Sequence, residues 1–206
     1  MRPLPRLHAI TDAAVLALPD LGVRAAAIAA AGSAVALHAR DRSARAADLA
    51  RTAERFVALA RPPEATVIVS SRPDIARAVG AQGVQLGASD LAPADARRVL
   101  GPGWIGRSVH SVDEARAAVD EGADYLLVGN VFETTSHPGA AGKGLGLIEQ
   151  AAALGRPVIA IGGITRERAA QVRDAGAWGV AAITALWHAP DPGRAAIDLL
   201  APWTNA

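Results

Sequence analysis

Residues 121–129 read EGADYLLVG, and two other stretches repeat the same pattern: VGAQGVQLG at 79–87 and AGAWGVAAI at 175–183. Each stretch places a glycine and an alanine after an amphipathic segment and then continues into an apolar run. Glycine commonly ends a helix in a left-handed conformation, and short continuous apolar runs are typical of strands buried on both faces. The pattern therefore predicts a repeated unit in which a helix leads directly into a buried parallel strand.

The same alternation extends outward from these three units along the chain. Apolar runs predict eight strands, at 7–10, 34–38, 66–70, 83–86, 104–109, 125–129, 157–162 and 179–183. Amphipathic stretches predict eight helices, at 22–31, 43–60, 73–79, 94–100, 112–121, 145–154, 166–175 and roughly 192–200. Eight such pairs favour an α/β fold, a closed (β/α)8 TIM barrel, as a single domain over residues 1–206. A doubly wound open sheet is the alternative, but LHAITD at 7–12 lacks the glycine-rich fingerprint of that class.

The composition narrows the class of protein further. The chain has 206 residues, of which 51% are hydrophobic but only 3% aromatic, so its core must rest on Val, Leu, Ile and Ala. A formal net charge of +1 gives no reason to expect a nucleic-acid or membrane surface. The lack of cysteine excludes disulfides, thiol nucleophiles and cysteine-ligated metals. No apolar run has the length of a signal peptide or a membrane span, so we expect a soluble cytoplasmic protein.

Polar residues follow almost every predicted strand. In a (β/α)8 barrel the carboxyl ends of the strands form one face, and the active site lies there. We therefore expect these side chains to share one site, although they are far apart in sequence. They are Thr11, Asp12, His38, Arg40, Arg42, Ser70, Ser71, Asp90, Ser108, His110, Asn130 and Thr184.

Three of the strand ends predict anion binding. Gly162 and Gly163 follow the seventh strand and Thr184 follows the eighth, which is where barrels commonly bind a phosphate; a simple tight turn is the alternative. In HARDR at 38–42, strand alternation would direct His38, Arg40 and Arg42 to one face, and inward arginines favour a phosphate or carboxylate. The alternatives there are an ion pair with an aspartate or exposure at the rim. Together these features predict a ligand with two anionic ends.

The loop VFETTSHPGAAGKG at 131–144 is a further candidate, because binding and catalytic residues concentrate in loops on a rigid scaffold. Its His137, like His110, is either catalytic or a structural histidine. Asp90 is either a site residue or the N-cap of the helix that follows, a role for which Ser89 competes. A single carboxylate does not define a magnesium site.

Several stretches taken together resemble the thiamine phosphate synthases and their TenI-type relatives, the thiazole tautomerases. They are HAITD (8–12), HARDR (38–42), GVQLGASD (83–90), IGRSVHS (105–111), GADYLLVGNVFETTSHPG (122–139), VIAIGGIT (158–165) and GAWGVAAIT (176–184). The resemblance covers nearly the whole chain. It implies the barrel fold, a role in making thiamine and a thiazole phosphate ligand. It also makes a homodimer through the barrel helices a reasonable expectation.

The synthase branch joins a hydroxymethylpyrimidine diphosphate to a thiazole phosphate carboxylate, with Mg2+ and release of pyrophosphate and carbon dioxide. Its pattern is matched here by Arg40, Asp90 and Ser108. Ser70 and Ser71 stand where that branch has an Asn-Asp pair, and His137 stands where it has a lysine. The resemblance thus makes Asp90 a magnesium ligand only in a synthase, and the departures count against full synthase activity.

The short motifs of the chain are more similar to those of the TenI-type branch, in HARDR, GRSVHS at 106–111 and VFET at 131–134. It implies a metal-free, cofactor-free proton transfer that makes the thiazole aromatic. The branch's base corresponds to Asn130, which cannot serve as a base. His137 is the first replacement, followed by His38 and His110.

The resemblance leaves three hypotheses for the function of the chain. A thiazole tautomerase is the leading one, with a synthase as the alternative and a non-catalytic thiazole-phosphate-binding regulator as the second alternative. We expect the loop to cover a thiazole phosphate, with Thr134, Thr135 and Ser136 as hydrogen-bond partners of the substrate carboxylate. Phosphate contacts are expected from Arg40, Arg42, Ser70, Ser108, Gly162, Gly163 and Thr184.

Overall fold

The computed structural model describes residues 3–61, 64–134 and 142–204. Eight parallel strands close into a barrel in chain order, and the last strand pairs with the first through the register of Leu7 with Val180. This closure confirms the (β/α)8 barrel and excludes the open sheet. The strands are β1 Leu7–Ile10, β2 Val35–Ala39, β3 Thr66–Ser70, β4 Gly83–Leu86, β5 Trp104–Val109, β6 Tyr125–Val128, β7 Val158–Ile161 and β8 Gly179–Ala182.

The helices surround the barrel and connect successive strands. They are α1 Ala13–Leu16, α2 Leu21–Ala29, α3 Ala46–Ala60, α4 Pro73–Ala78, α5 Pro93–Leu100, α6 Val112–Asp120, α7 Leu145–Ala152, α8 Arg166–Asp174, α9 Thr184–Trp187 and α10 Pro192–Thr204, with a 3-10 turn at Gly32–Ala34. The helices α1 and α9 and the 3-10 turn were not predicted from the sequence. Each of them is about one turn long, which is too short to show a helical period.

The three repeated helix-to-strand junctions are confirmed. Gly80, Gly122 and Gly176 all have positive φ, at 71°, 90° and 96°. Glycine takes this conformation without the steric cost that a Cβ brings, so each helix ends sharply and the chain turns directly into the next strand. Two predicted helix starts are also confirmed, since Ser111 Oγ accepts from Glu114 N and Thr165 Oγ1 accepts from Arg168 N.

Alternate strand residues face two different apolar layers. One set packs between the sheet and the helices, as Leu7, Leu37 and Val69 do. The other set fills the barrel interior, where Ile10, Ala36, Ile68, Tyr125, Leu127, Ile159 and Ala181 form one cluster. Burial on both faces explains why the strands read as continuous apolar runs. In the described ranges, no helix is long and apolar enough to cross a membrane.

Candidate functional site at the carboxyl ends of the strands

The ends of β1 and β2 are joined by the hydroxyl of Thr11. This buried hydroxyl accepts from Arg40 N at 2.9 Å and donates to the carbonyl oxygen of His38 at 3.0 Å. Arg40 follows the strand and is partly buried, and burial followed by the charge of Arg42 lowers the pKa of its guanidinium. Such a desolvated cation is stabilised by an anion.

Arg42 does not face the barrel interior, although strand alternation predicted that it would. β2 ends at Ala39, so strand alternation does not continue to Arg42, which is exposed on the following bend. The alternative of an ion pair between Arg40 and an aspartate is not observed among the described residues. Asp12 instead caps α1 through Val15 N, and Asp41 accepts from Ser43. Arg40 is therefore the inward arginine of HARDR.

The ends of β3 and β4 meet through Ser71 and Asp90. Ser71 Oγ donates to Asp90 Oδ2 at 2.7 Å, and Gly87 N donates to the same oxygen at 2.6 Å. Asp90 is not the N-cap of α5, because that helix begins at Pro93 after Ala92. Its carboxylate is thus held at the mouth of the barrel, and in the described part of the chain no group of three or more His, Asp or Glu side chains surrounds a metal position.

A buried polar layer lies beneath the mouth, and most of its residues were not predicted from the sequence. Gln85 Nε2 donates to Ser108 Oγ at 3.0 Å. The Ser70 hydroxyl, Gln85 Oε1 and the Tyr125 hydroxyl are buried without a hydrogen-bond partner. Gly106 leaves space for this layer, since a Cβ there would lie 2.2 Å from both Tyr125 Cζ and Gln85 Oε1. A single glutamine within the apolar run GVQL was the available signal in the sequence.

His38 belongs to a buried histidine pair rather than to the open mouth. His8 Nε2 donates to the carbonyl oxygen of Pro5 at 3.2 Å, so its Nδ1 is an acceptor for His38 Nε2 at 2.8 Å. Both side chains are completely buried. Burial lowers the pKa of His8 to about 4. Burial, then the nearby His8 and Arg40, lower the pKa of His38 well below its usual value.

His110 lies at the end of β5 and remains exposed. Its Nδ1 donates to the carbonyl oxygen of Gly129, the residue after β6, at 2.6 Å. Its backbone N donates to Glu114 Oε2 at 2.6 Å, which attaches the strand end to α6. The residue that follows Gly129 is Asn130, so the contact brings His110 next to the chain position where the resemblance implies a base.

The loop after β6 is anchored at both of its ends. Val131 N donates to Ile161 O at 2.9 Å and Phe132 N to Gly162 O at 3.2 Å, which continues the pairing with β7. On the returning side, Lys143 N donates to Asn130 O at 2.9 Å. Asn130 and Thr134 therefore lie at the start of an anchored loop. Thr135, Ser136 and His137 lie outside the described residues.

Gly162 and Gly163 form a tight turn after β7, with φ of 103° and 63°. A Cβ on Gly163 would lie 2.5 Å from Glu133 O, so glycine is required where the β6 and β7 loops meet. Arg168 of α8 donates to Gly163 O at 2.7 Å and lies 4.7 Å from the ring centroid of Phe132. The turn is thus braced against the start of the β6 loop.

Thr184 completes the set of strand-end residues predicted to bind a phosphate. It is the first residue of α9 and is separated from the end of β8 by Ile183. Gly162 and Gly163 follow β7, which pairs with β8. Together with Thr184 they form a second polar group at the mouth, separate from Arg40, which follows β2. The sequence-predicted anion contacts thus come from two parts of the strand-end face.

A closed (β/α)8 barrel that gathers charged and polar side chains at the carboxyl ends of its strands is the architecture of a barrel enzyme. The family model described as thiamine monophosphate synthase matches residues 7–186. The chain therefore belongs to the thiamine monophosphate synthase family, which places it among the enzymes of thiamine biosynthesis and confirms the resemblance seen in the sequence.

Individual relatives agree with this assignment. The chain is 44% identical over 201 residues to a thiamine-phosphate synthase of Salinispora arenicola, covering 95% of each protein. It is 44% identical over 164 residues to a thiamine-phosphate synthase of Thermus thermophilus, covering 79% of this chain and 78% of the relative. The structure matches a thiamine phosphate pyrophosphorylase from Pyrococcus furiosus with a TM-score of 0.83 and 33% identity, covering 97% of this chain and 96% of the other.

Proposed function

We propose that the chain is a thiamine-phosphate synthase, which joins a hydroxymethylpyrimidine diphosphate to a thiazole phosphate carboxylate and releases pyrophosphate and carbon dioxide. The observation that carries this proposal is the 44% identity to the Salinispora arenicola synthase over 95% of both proteins. The leading hypothesis of the sequence analysis was the tautomerase, and these relatives favour its alternative.

The mouth of the barrel supports a reaction between two anionic substrates. Arg40 is partly buried, and the nearby charges of Asp12 and Asp41 only partly offset the effect of burial on the pKa of its guanidinium, so it would contact one anionic group. Gly162, Gly163 and Thr184 would bind the phosphate of the other substrate through the backbone and a hydroxyl. Only β1 lies between β2, which precedes Arg40, and β8, which precedes Thr184, so two substrates bound by these groups would lie side by side in one mouth with their rings close together.

The site offers one carboxylate, the smallest number of protein carboxylates with which magnesium is commonly bound. Asp90 Oδ2 is occupied by Ser71 and Gly87, which leaves Oδ1 as the carboxylate oxygen that would ligate the ion. Mg2+ is commonly bound through one or two carboxylates, with substrate phosphates and water as its other ligands. When bound, the ion would neutralise charge on the diphosphate leaving group. The Ser71 hydroxyl and Gly87 N would hold the Asp90 carboxylate in position for it.

The second candidate function is tautomerisation of the thiazole carboxylate phosphate by proton transfer. The hydrogen bond from Ser71 to Asp90 favours it, because a neutral hydroxyl stands where the resemblance implies a second magnesium carboxylate. A site with one carboxylate is poorly suited to neutralise a diphosphate. A proton transfer within a monophosphate substrate has no such requirement.

Two turnover assays on the purified protein, each with and without magnesium, test these functions. One assay follows thiamine phosphate formation from the two substrates, and the other follows aromatisation of the thiazole tautomer. Magnesium-dependent thiamine phosphate formation is the result expected for the synthase. Metal-independent aromatisation alone would replace it with the tautomerase. Tight thiazole phosphate binding with no turnover in either assay would identify a non-catalytic binder instead.

A further inference from the structure

We infer that His110 is the catalytic base that accepts a proton from the thiazole ring, an inference that rests on the second candidate function above. The geometry that carries it is the hydrogen bond between His110 Nδ1 and the carbonyl oxygen of Gly129, at 2.6 Å. A carbonyl oxygen only accepts, so Nδ1 must carry a proton. In the neutral imidazole, Nε2 then carries the lone pair.

His110 Nε2 is accessible, as a base must be. The side chain is exposed, and no hydrogen bond or ion pair to another described residue engages Nε2. His110 is the first residue after β5, two residues beyond Ser108, whose hydroxyl lies in the barrel interior against Gln85. Its hydrogen bond to Gly129 O places the ring between the ends of β5 and β6 at the mouth.

The other described histidine near the mouth is less suitable as a base. His38 has the lone pair of Nδ1 without a partner, but its side chain is 0% exposed. A substrate cannot reach that nitrogen without displacing the barrel interior. Asn130, where the resemblance implies a base, has a side-chain amide that does not take up a proton. His110 is hydrogen-bonded to Gly129, the residue directly before Asn130. A base at His110 would therefore act from the end of β5, next to the end of β6 where Asn130 lies.

The proton transfer balances without a metal or a further reactant. Nε2 of His110 takes a proton from a ring carbon, and the electron pair of the broken C–H bond enters the ring as it becomes aromatic. A proton then adds to the carbon at the far end of the conjugated system, returned by the imidazolium or by water. The substrate and the product have the same composition, and the histidine ends in its original state.

The test uses His110→Asn in the full-length protein. The asparagine amide retains an N–H donor near the position of Nδ1 but has no group at Nε2. We expect the kcat of thiazole aromatisation to fall about 100-fold or more, while calorimetry gives a thiazole phosphate Kd within about threefold of wild type, since a missing base leaves substrate binding intact. His188→Gln is the matched control, because His188 is another exposed histidine that follows α9, and it should retain full turnover.

Two further measurements separate a base from a structural residue. Imidazole in the buffer should partly restore the turnover of His110→Ala, and 15N correlation spectra of the wild type should show the tautomer with a proton on Nδ1. Retention of kcat within threefold in His110→Asn, or a proton on Nε2 in the neutral tautomer, would overturn the inference alone. A wild-type protein without any aromatisation activity would overturn the second candidate function, and the role of His110 with it.

Discussion

Ser71 Oγ donates to Asp90 Oδ2 at 2.7 Å, and this hydrogen bond joins the ends of β3 and β4 at the mouth of the barrel. Ser71 is in a left-handed conformation, with φ at 64°. The unusual backbone directs a short neutral side chain to the carboxylate that would hold magnesium. The number of acidic groups at this point is therefore what most sharply separates the two candidate functions.

Ser71→Asp should strengthen magnesium binding in the synthase assay. Aspartate tolerates the left-handed conformation better than most residues, and a second carboxylate beside Asp90 adds a negative charge next to the ion. We expect the magnesium concentration for half-maximal activity to fall by about tenfold or more. Ser71→Ala, which removes the hydrogen bond without adding charge, is the control and should not lower that concentration. An unchanged magnesium requirement in Ser71→Asp would mean that the ion does not bind at Asp90.

Gly163→Ala should weaken thiazole phosphate binding by about tenfold or more, because displacement of phosphate-binding groups by about 1 Å is costly. The new Cβ would lie 2.5 Å from Glu133 O, so the turn and the β6 loop must separate. Gly155→Ala is the matched control, since Gly155 also has positive φ, at 76°, but no atom lies within 4 Å of the position that its Cβ would take. Calorimetric titration with thiazole phosphate compares the two variants. Equal losses in both would show that backbone strain, and not the phosphate site, is responsible.

The stability of the protein should fall below neutral pH because of the buried histidine pair. The pKa of His8 is lowered to about 4 from an ordinary value of 6.5. The unfolded chain therefore binds more protons than the folded one between these pH values. The free energy of unfolding should decrease as the pH falls from 6.5 to 4, by about 1 kcal/mol per pH unit through His8. Urea denaturation at several pH values measures this slope.

His8→Gln removes one of the two buried imidazoles and should reduce that slope. The comparison uses the slope and not the absolute stability, because a buried glutamine alters stability at every pH. His188→Gln provides the control with an exposed histidine and should keep the wild-type slope. If His8→Gln keeps it as well, protonation of His8 does not contribute to acid unfolding.

Gly106→Ala should destabilise the barrel by about 1–3 kcal/mol, because the added methyl group overlaps Tyr125 and Gln85 in a packed interior. Gly146→Ala is the control for the loss of glycine flexibility. The nearest atom to a Cβ there is Gln150 Nε2 at 4.0 Å, so this variant should be more stable by about 0.4–1 kcal/mol. Thermal unfolding of both proteins checks the prediction, and a Gly106→Ala protein as stable as wild type would show that the buried polar layer rearranges freely.

The sequence predicted the barrel correctly because its strands are apolar on both faces and its helices end at glycines. Four strands, 7–10, 66–70, 83–86 and 104–109, have the predicted bounds. The short helices α1 and α9 were missed because a single turn carries no period. Within the site, the sequence indicated Arg40, Asp90 and His110 as strand-end residues, but it did not indicate that His38 is buried against His8.

The sequence by itself determined the fold, the family and the face of the barrel that carries the polar residues, because these depend on local periodicity and on strand ends. Only the tertiary structure decided which of those residues contact each other. The pairing of Ser71 with Asp90 and of His110 with Gly129 joins neighbouring strands across 19 residues of sequence in each case. Such contacts depend on barrel closure and strand register, and no local pattern of residues encodes them.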